Sequence, residues 1–225
     1  MEVWKVIKIF ISSTFVDMDK ERDVLRHVVE TQLNQCFKPH HLRIRFVDLR
    51  KDVETDTKLS QDERERQILQ VCMKEIEECA PFFIGLIGDR YGWVPPQSLV
   101  AEYEHNLSDI MVSGELPSEK SVTCFEFLKG VFHQNQHSRR AALIYVRESD
   151  GGQPTDSPLA LFKQFLRNNV PAESLYTYTA LDSPQLLMQW AQKVVHSLTD
   201  KIKQEYHISD VAPLLSLIHI SEPTR

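Results

Sequence analysis

The run Val6-Ile7-Lys8-Ile9-Phe10-Ile11, followed at once by Ser12-Ser13-Thr14-Phe15, decides the fold. A mostly apolar, β-branched hexamer of this kind reads as a strand buried on both faces, which is the habit of a central strand in a parallel sheet. The small hydroxyl residues end it in a turn. A helix is predicted over 17–37, because Leu25, Val28, Val29, Leu33 and Cys36 recur at three- and four-residue spacing and form one apolar stripe.

The same grammar repeats down the chain. Residues 42–49 alternate, with Leu42, Ile44 and Phe46 against Arg43 and Arg45, as an edge strand with one wet face does. Residues 50–59 are polar loop. Ser60 with Glu63 forms a capping box, and the helix it opens carries Ile68, Leu69, Cys72, Ile76 and Cys79 on one face. Pro81 ends that helix, and Phe82-Phe83-Ile84-Gly85-Leu86-Ile87 is a third strand, buried throughout. The stretch 97–120 lacks a clear period, holds a short helix near 99–111, and is long enough to be functional. A helix over 123–133, a strand over 141–146 and a loop over 148–156 follow. Ser157-Pro158 and Ser183-Pro184 each place a hydroxyl at a helix N-cap and a proline at its first position, on either side of a short strand at 175–178. In the last helix Leu187, Trp190, Val194, Leu198 and Ile202 make the core stripe.

Strand and helix thus alternate five times. Right-handed crossovers then lead to a three-layer α/β fold: a five-stranded, parallel, flavodoxin-like doubly wound sheet. Composition agrees with one globular domain: 225 residues, 42% hydrophobic and 26% charged. A net charge of -6 argues against a nucleic-acid partner. No apolar run is long enough to span a bilayer and no leader is visible, so the expectation is a cytoplasmic protein with no membrane partner. Cys36, Cys72, Cys79 and Cys124 include no C-x-x-C pair and read as reduced core thiols, with no metal site.

Residues 215–225, L-S-L-I-H-I-S-E-P-T-R, resemble the translation of a transposon-type sequencing-library adapter and are read as an artefact. On that reading the domain spans 1–209, and 210–214 begin a linker to a missing C-terminal part.

In a doubly wound sheet ligands bind at the carboxyl ends of the strands, where strand order reverses. Three clusters fall there and should converge: Ser12, Ser13, Thr14 and Phe15 after the first strand, Asp48 and Arg50 after the second, and Asp89, Arg90, Tyr91 and Trp93 after the third. Each has a structural alternative. Ser13 or Thr14 could cap the first helix, Asp89 and Arg90 could close a salt bridge, and Trp93 with Pro95-Pro96 could be a packed turn. Neither G-x-x-x-x-G-K-[ST] nor G-x-G-x-x-G occurs, so no NTPase phosphate loop is present. A G-x-S-x-G elbow is also missing.

The segments I-F-I-S-S-T-F-V-D-M-D-K-E-R-D-V-L (9–25), F-V-D-L-R (46–50) and C-M-K-E-I-E-E-C-A-P-F-F-I-G-L-I-G-D-R-Y-G-W-V-P-P (72–96) resemble the TIR-like domain of NACHT/WD-repeat and other STAND NTPase proteins, a module of unassigned function. The chain departs from the pattern after Arg50, where Lys51-Asp52 replaces the Trp-Gly often found. The resemblance implies an N-terminal signalling or effector module that acts by protein–protein assembly or self-association, with NTPase and repeat domains downstream. No cofactor is implied with certainty. The second implication is NAD as a substrate, since enzymatic TIR domains cleave it with a glutamate on the helix after the third strand. Glu126, in Ser121-Val122-Thr123-Cys124-Phe125-Glu126, stands in that place, where a carboxylate could stabilise an oxocarbenium-like ribose. Thr123 to Glu126 also has the spacing of a capping box, which leaves a plain structural role open.

Overall fold

A computed structural model describes residues 3–14, 17–49, 61–106, 114–133, 141–148 and 157–209. Five parallel strands lie in the order β2-β1-β3-β4-β5: β1 Lys5–Ser13, β2 Leu42–Val47, β3 Phe83–Ile87, β4 Ala142–Arg147 and β5 Leu175–Tyr178. This is the flavodoxin-like order, with its reversal between β1 and β3. The expected alternation of strand and helix is what builds it.

The first helix, α1, covers 19–37. It starts as Asp19–Val24, passes through a π-helical turn at Leu25–Val29 and continues as Glu30–Phe37. Helix α2 is Gln61–Cys79, α3 is Gln97–Asn106, α5 is Pro158–Asn169 and α6 is Pro184–Tyr206. Helix α4 covers 122–132 and is again interrupted, α-helical over Val122–Phe127 and π-helical over Leu128–Phe132. Ser157 and Ser183 cap α5 and α6 as their sequences require, accepting from the Ala160 and Leu186 amides at 3.1 and 3.2 Å.

Alternation along each strand divides the core in two. Ile9, Ile11, Ile84, Leu143 and Tyr145 pack under α1 and α6 with Leu25, Leu33, Trp190 and Val194. Phe10, Phe83, Ile87, Ile144 and Val146 pack under α2, α4 and α5 with Cys72, Ile76, Phe127 and Phe162. All four cysteines are buried and free. Among the described residues no helix is long and apolar enough to cross a membrane.

Packing on the two sides of β1 differs in kind. Ser12 and Gly85 are register partners on β1 and β3. A Cβ at Gly85 would strike the Phe127 ring, so the bare glycine admits that ring and seats α4 on the sheet. The residue before Phe127 is Glu126. On the far side, the free edge of β2 is covered from α1. The Asn34 amide donates to the Ile44 carbonyl and its oxygen accepts the Ile44 amide, both at 2.9 Å, and the Glu30 carboxylate accepts the Phe46 amide at 2.9 Å. Unpaired strand edges template aggregation, and here two helical side chains stand in for a missing strand.

A buried polar cluster at the end of the first strand

Ser12 and Ser13 are neighbours in sequence and point to opposite faces of the sheet. Toward α4, the Ser12 hydroxyl donates to Glu126 Oε2 at 2.5 Å, with both groups buried. Toward α1, the Ser13 hydroxyl receives Arg22 Nη1. Arg22 is 2% exposed, and its guanidinium forks onto Asp48, with Nε donating to Oδ2 at 3.1 Å and Nη2 pairing with Oδ1. Arg26 adds a longer contact to Asp48 at 3.7 Å. Asp48 is fully buried at the end of β2. A buried charge survives only when it is paired and hydrogen-bonded, and the two-toothed arginine supplies both conditions.

Among the described residues Glu126 has no such forked cationic partner. Burial dominates and pushes its carboxyl up to about 7, against the opposing pull of the Ser12 bond, the nearby Arg22 charge and the Cys72 thiol. The capping-box reading of Thr123 and Glu126 is corrected here. Helix α4 begins at Val122, its N-cap is Ser121, and the Ser121 hydroxyl accepts the Cys124 amide at 3.2 Å. Glu126 lies more than a turn inside the helix and is turned toward β1. Two hydroxyl residues compete for the cap in this sequence, and the one two positions earlier takes it.

A second cluster lies over the ends of β3, β4 and β5. Arg147, the last residue of β4, reaches Asp89 at 2.9 Å, Glu21 at 3.3 Å and Asp17 at 3.5 Å. The Tyr178 hydroxyl donates to Glu21 at 3.0 Å. The Asp89 amide donates to Asp17 at 2.6 Å, and the Thr14 hydroxyl donates to the same carboxylate. Burial works against the Arg147 charge, but Asp89 and Glu21 outweigh it and hold the guanidinium above its ordinary value.

The predicted residues therefore divide. Ser12, Ser13, Asp48 and Glu126 come together around the end of β1. Thr14 and Asp89 join the Arg147 cluster, and neither Ser13 nor Thr14 caps the first helix, whose N-cap is Met18. Asp89 pairs with Arg147 and so does not need Arg90, which is exposed. Tyr91 is half-buried, its hydroxyl on the Glu119 carbonyl at 3.0 Å, and Trp93 is exposed. Phe15 and Arg50 lie outside the described residues, as do the Ser60 cap and residues 210–225. Sequence reasoning missed Arg22, Glu21, Asp17, Arg147 and Tyr178. Arg147 had a signal, because it stands at the carboxyl end of a central strand.

The chain is 36% identical over 149 residues to telomerase protein component 1 of Mus musculus, which covers 65% of this chain and 5% of that protein. It is 31% identical over 121 residues to the mouse NACHT and WD repeat domain-containing protein 2, covering 50% of this chain and 7% of that one. The chain thus spans only a small part of the length of these relatives, and in each of them the matching segment is one module of a much larger protein. Among solved structures, a diflavin flavoprotein A3 from Nostoc sp. superposes with a TM-score of 0.39 and 10% identity, over 92% of this chain and 99% of that one. Residues 8–179 match the family described as "Domain of unknown function (DUF4062)", and the chain belongs to that family.

Proposed function

We propose that this domain is a signalling module of a larger STAND-type NTPase protein and that it acts by protein–protein assembly in the cytoplasm. The observation that carries the reading is the size of the match: a domain occupying about 5% of a long relative works while tethered to other modules. A tethered module gains effective concentration when its host clusters, so weak contacts between copies become decisive. Within this chain we take 1–209 as the domain and 215–225 as adapter-derived. Sedimentation of the purified chain is the test. Reversible association with rising concentration is expected, and a monomer at every accessible concentration would sink assembly through self-association.

A second reading is NAD cleavage, and one observation favours it. Glu126 is a buried carboxyl beside the strand-order reversal, held by Ser12 and not used as a cap. In such a reaction the bond from ribose to nicotinamide breaks, nicotinamide leaves with the bonding pair, and water adds to the resulting cation. An ionised Glu126 would stabilise that cation, with Ser12 orienting the carboxylate. Turnover should then rise as pH passes through about 7, where Glu126 loses its proton. The measurement is NAD consumption by the artificially clustered domain beside Glu126→Ala. No turnover, or turnover the variant leaves unchanged, would remove the glutamate from the chemistry.

A further inference from the structure

Among the described residues, the sheet face under α2 is covered only in part where β1 meets β2. Register sets Val6 against Arg43 and Lys8 against Arg45 on these two strands. Alternation turns all four away from Ile7, Ile9, Leu42 and Ile44, which enter the core under α1 and α6. Lys8 is met by the end of α2, its Nζ reaching Glu78 at 2.5 Å and Glu75 at 3.5 Å. Val6, by contrast, is 52% exposed. Arg43 and Arg45 are exposed too, and neither forms an ion pair among the described residues. The next acid in sequence, Asp48, is taken up by Arg22 inside the core. Burial raises the Cys79 thiol, with Glu75 adding to it, and Lys8 and Arg45 both draw it back. The Arg45 charge therefore stands near the last turn of α2. At the foot of the same two strands the Trp4 ring, 45% exposed, meets His41 edge-on at 5.6 Å.

The covered half of this face shows what chemistry the open half takes. A parallel sheet is roofed by helices on both faces, and the roof over Lys8 is a helix end that presents two carboxylates. Beside it, Arg43 and Arg45 stand about 6.6 Å apart, two rises of a parallel strand. Residues i and i+4 of a helix are separated by about 6 Å along its axis. Two guanidinium groups at that spacing match two carboxylates on one helical face, and each can hold its carboxylate with a fork. Val6 and Trp4 offer apolar surface to the stripe of the same helix. A phosphate backbone fits less well, because Glu75 and Glu78 border the face and the chain carries a net charge of -6.

We propose that this face docks an acidic amphipathic helix of a partner protein, laid beside α2 with its carboxylates on Arg43 and Arg45 and its apolar stripe on Val6 and Trp4. The proposal rests on the assembly reading and gives it a partner chemistry. The test is fluorescence anisotropy with the full chain and two labelled, side-chain-stapled helical peptides. Both peptides carry the same leucine stripe, one with glutamates at i and i+4 and the other with lysines there. The glutamate peptide should bind, and its binding should weaken as salt rises. The double variant Arg43→Glu, Arg45→Glu should lose at least about tenfold in affinity for it, and Val6→Asp should weaken it as well. The double variant should instead take the lysine peptide, a gain that misfolding does not produce. No binding of the glutamate peptide, or binding that the charge reversal leaves unchanged, overturns this surface. Self-association in sedimentation would still leave assembly standing. Self-association that the charge reversal abolishes would overturn the partner helix in favour of a second copy. Tighter binding of a single-stranded oligonucleotide than of the glutamate peptide would overturn it in favour of nucleic acid.

Discussion

Glu126 and Arg22 lie a few side chains apart and solve burial differently. Arg22 is neutralised by a forked pair with Asp48. Among the described residues Glu126 bonds the Ser12 hydroxyl and the Cys72 thiol, and it holds its proton to about 7, above the ordinary carboxyl value of 4.5, chiefly because it is buried. The consequence for stability has a definite sign. Between about 4.5 and about 7 the folded chain binds more protons here than the unfolded chain, so unfolding free energy falls as pH rises through that window and is flat beyond it. Glu126→Gln keeps an acceptor for Ser12 and removes the titration. Its stability relative to the wild type should therefore grow by up to about 3 kcal/mol between acid and weakly alkaline solution. Urea unfolding of both proteins at each end of the window measures it, and a constant gap would show that Glu126 does not titrate there. The catalytic reading requires the ionised form and the fold favours the neutral one. A site held at the price of stability is how enzymes tune a carboxyl toward neutrality.

At the scale of elements, the edge of β2 is the informative place. Its alternating pattern makes the wet face legible, with Arg43 and Arg45 exposed and Leu42 and Ile44 buried. What the pattern does not contain is the cover on its hydrogen-bonding edge. Asn34 looks like any polar residue on a helix surface until α1 is laid along β2. There its amide meets both the donor and the acceptor of Ile44. Asn34→Ala should cost about 1–3 kcal/mol by leaving both groups without a protein partner. It should also raise light scattering on mild heating, since the bare edge can pair with another chain. Scattering and a urea midpoint indistinguishable from the wild type would mean that water serves the edge equally well. The glycine at β3 makes a related point. Gly85 stands in a run that reads only as buried strand, and its reason is the Phe127 ring that arrives from α4.

For the whole molecule the question is where the folding unit ends. Helix α6 places Trp190, Val194, Leu198 and Ile202 in the core beneath the sheet. The Tyr206 ring stacks on Phe82 at 6.4 Å and lies under Lys5 Nζ at 4.4 Å. That last turn ties the end of the helix to the first strand, and His207, in the left-handed conformation, terminates it. A chain stopped after Ser209 should therefore unfold at the same midpoint as the 225-residue chain. Calorimetry is the check, and a loss of several degrees would place part of the folding unit beyond that residue.

Sequence alone determined the strands, the helices and the order of the sheet. A strand covered on both faces must be apolar throughout, an amphipathic helix must repeat near 3.6, and right-handed crossovers leave few ways to wind five such units. Position rules also drew attention to Ser12, Ser13 and Asp48, because each ends or follows a strand, while Glu126 entered only through the resemblance to enzymatic TIR domains. Tertiary structure decided what those residues do. Which face Ser12 and Ser13 take, which of two hydroxyls caps α4, and which arginine answers Asp48 all depend on how the helices sit, and the bonds that hold Asp48 and Glu126 join groups 26 and 114 residues apart. No local pattern encodes such distances: a hydrogen bond is directional and short, and its partner is known only once the helices are seated on the sheet.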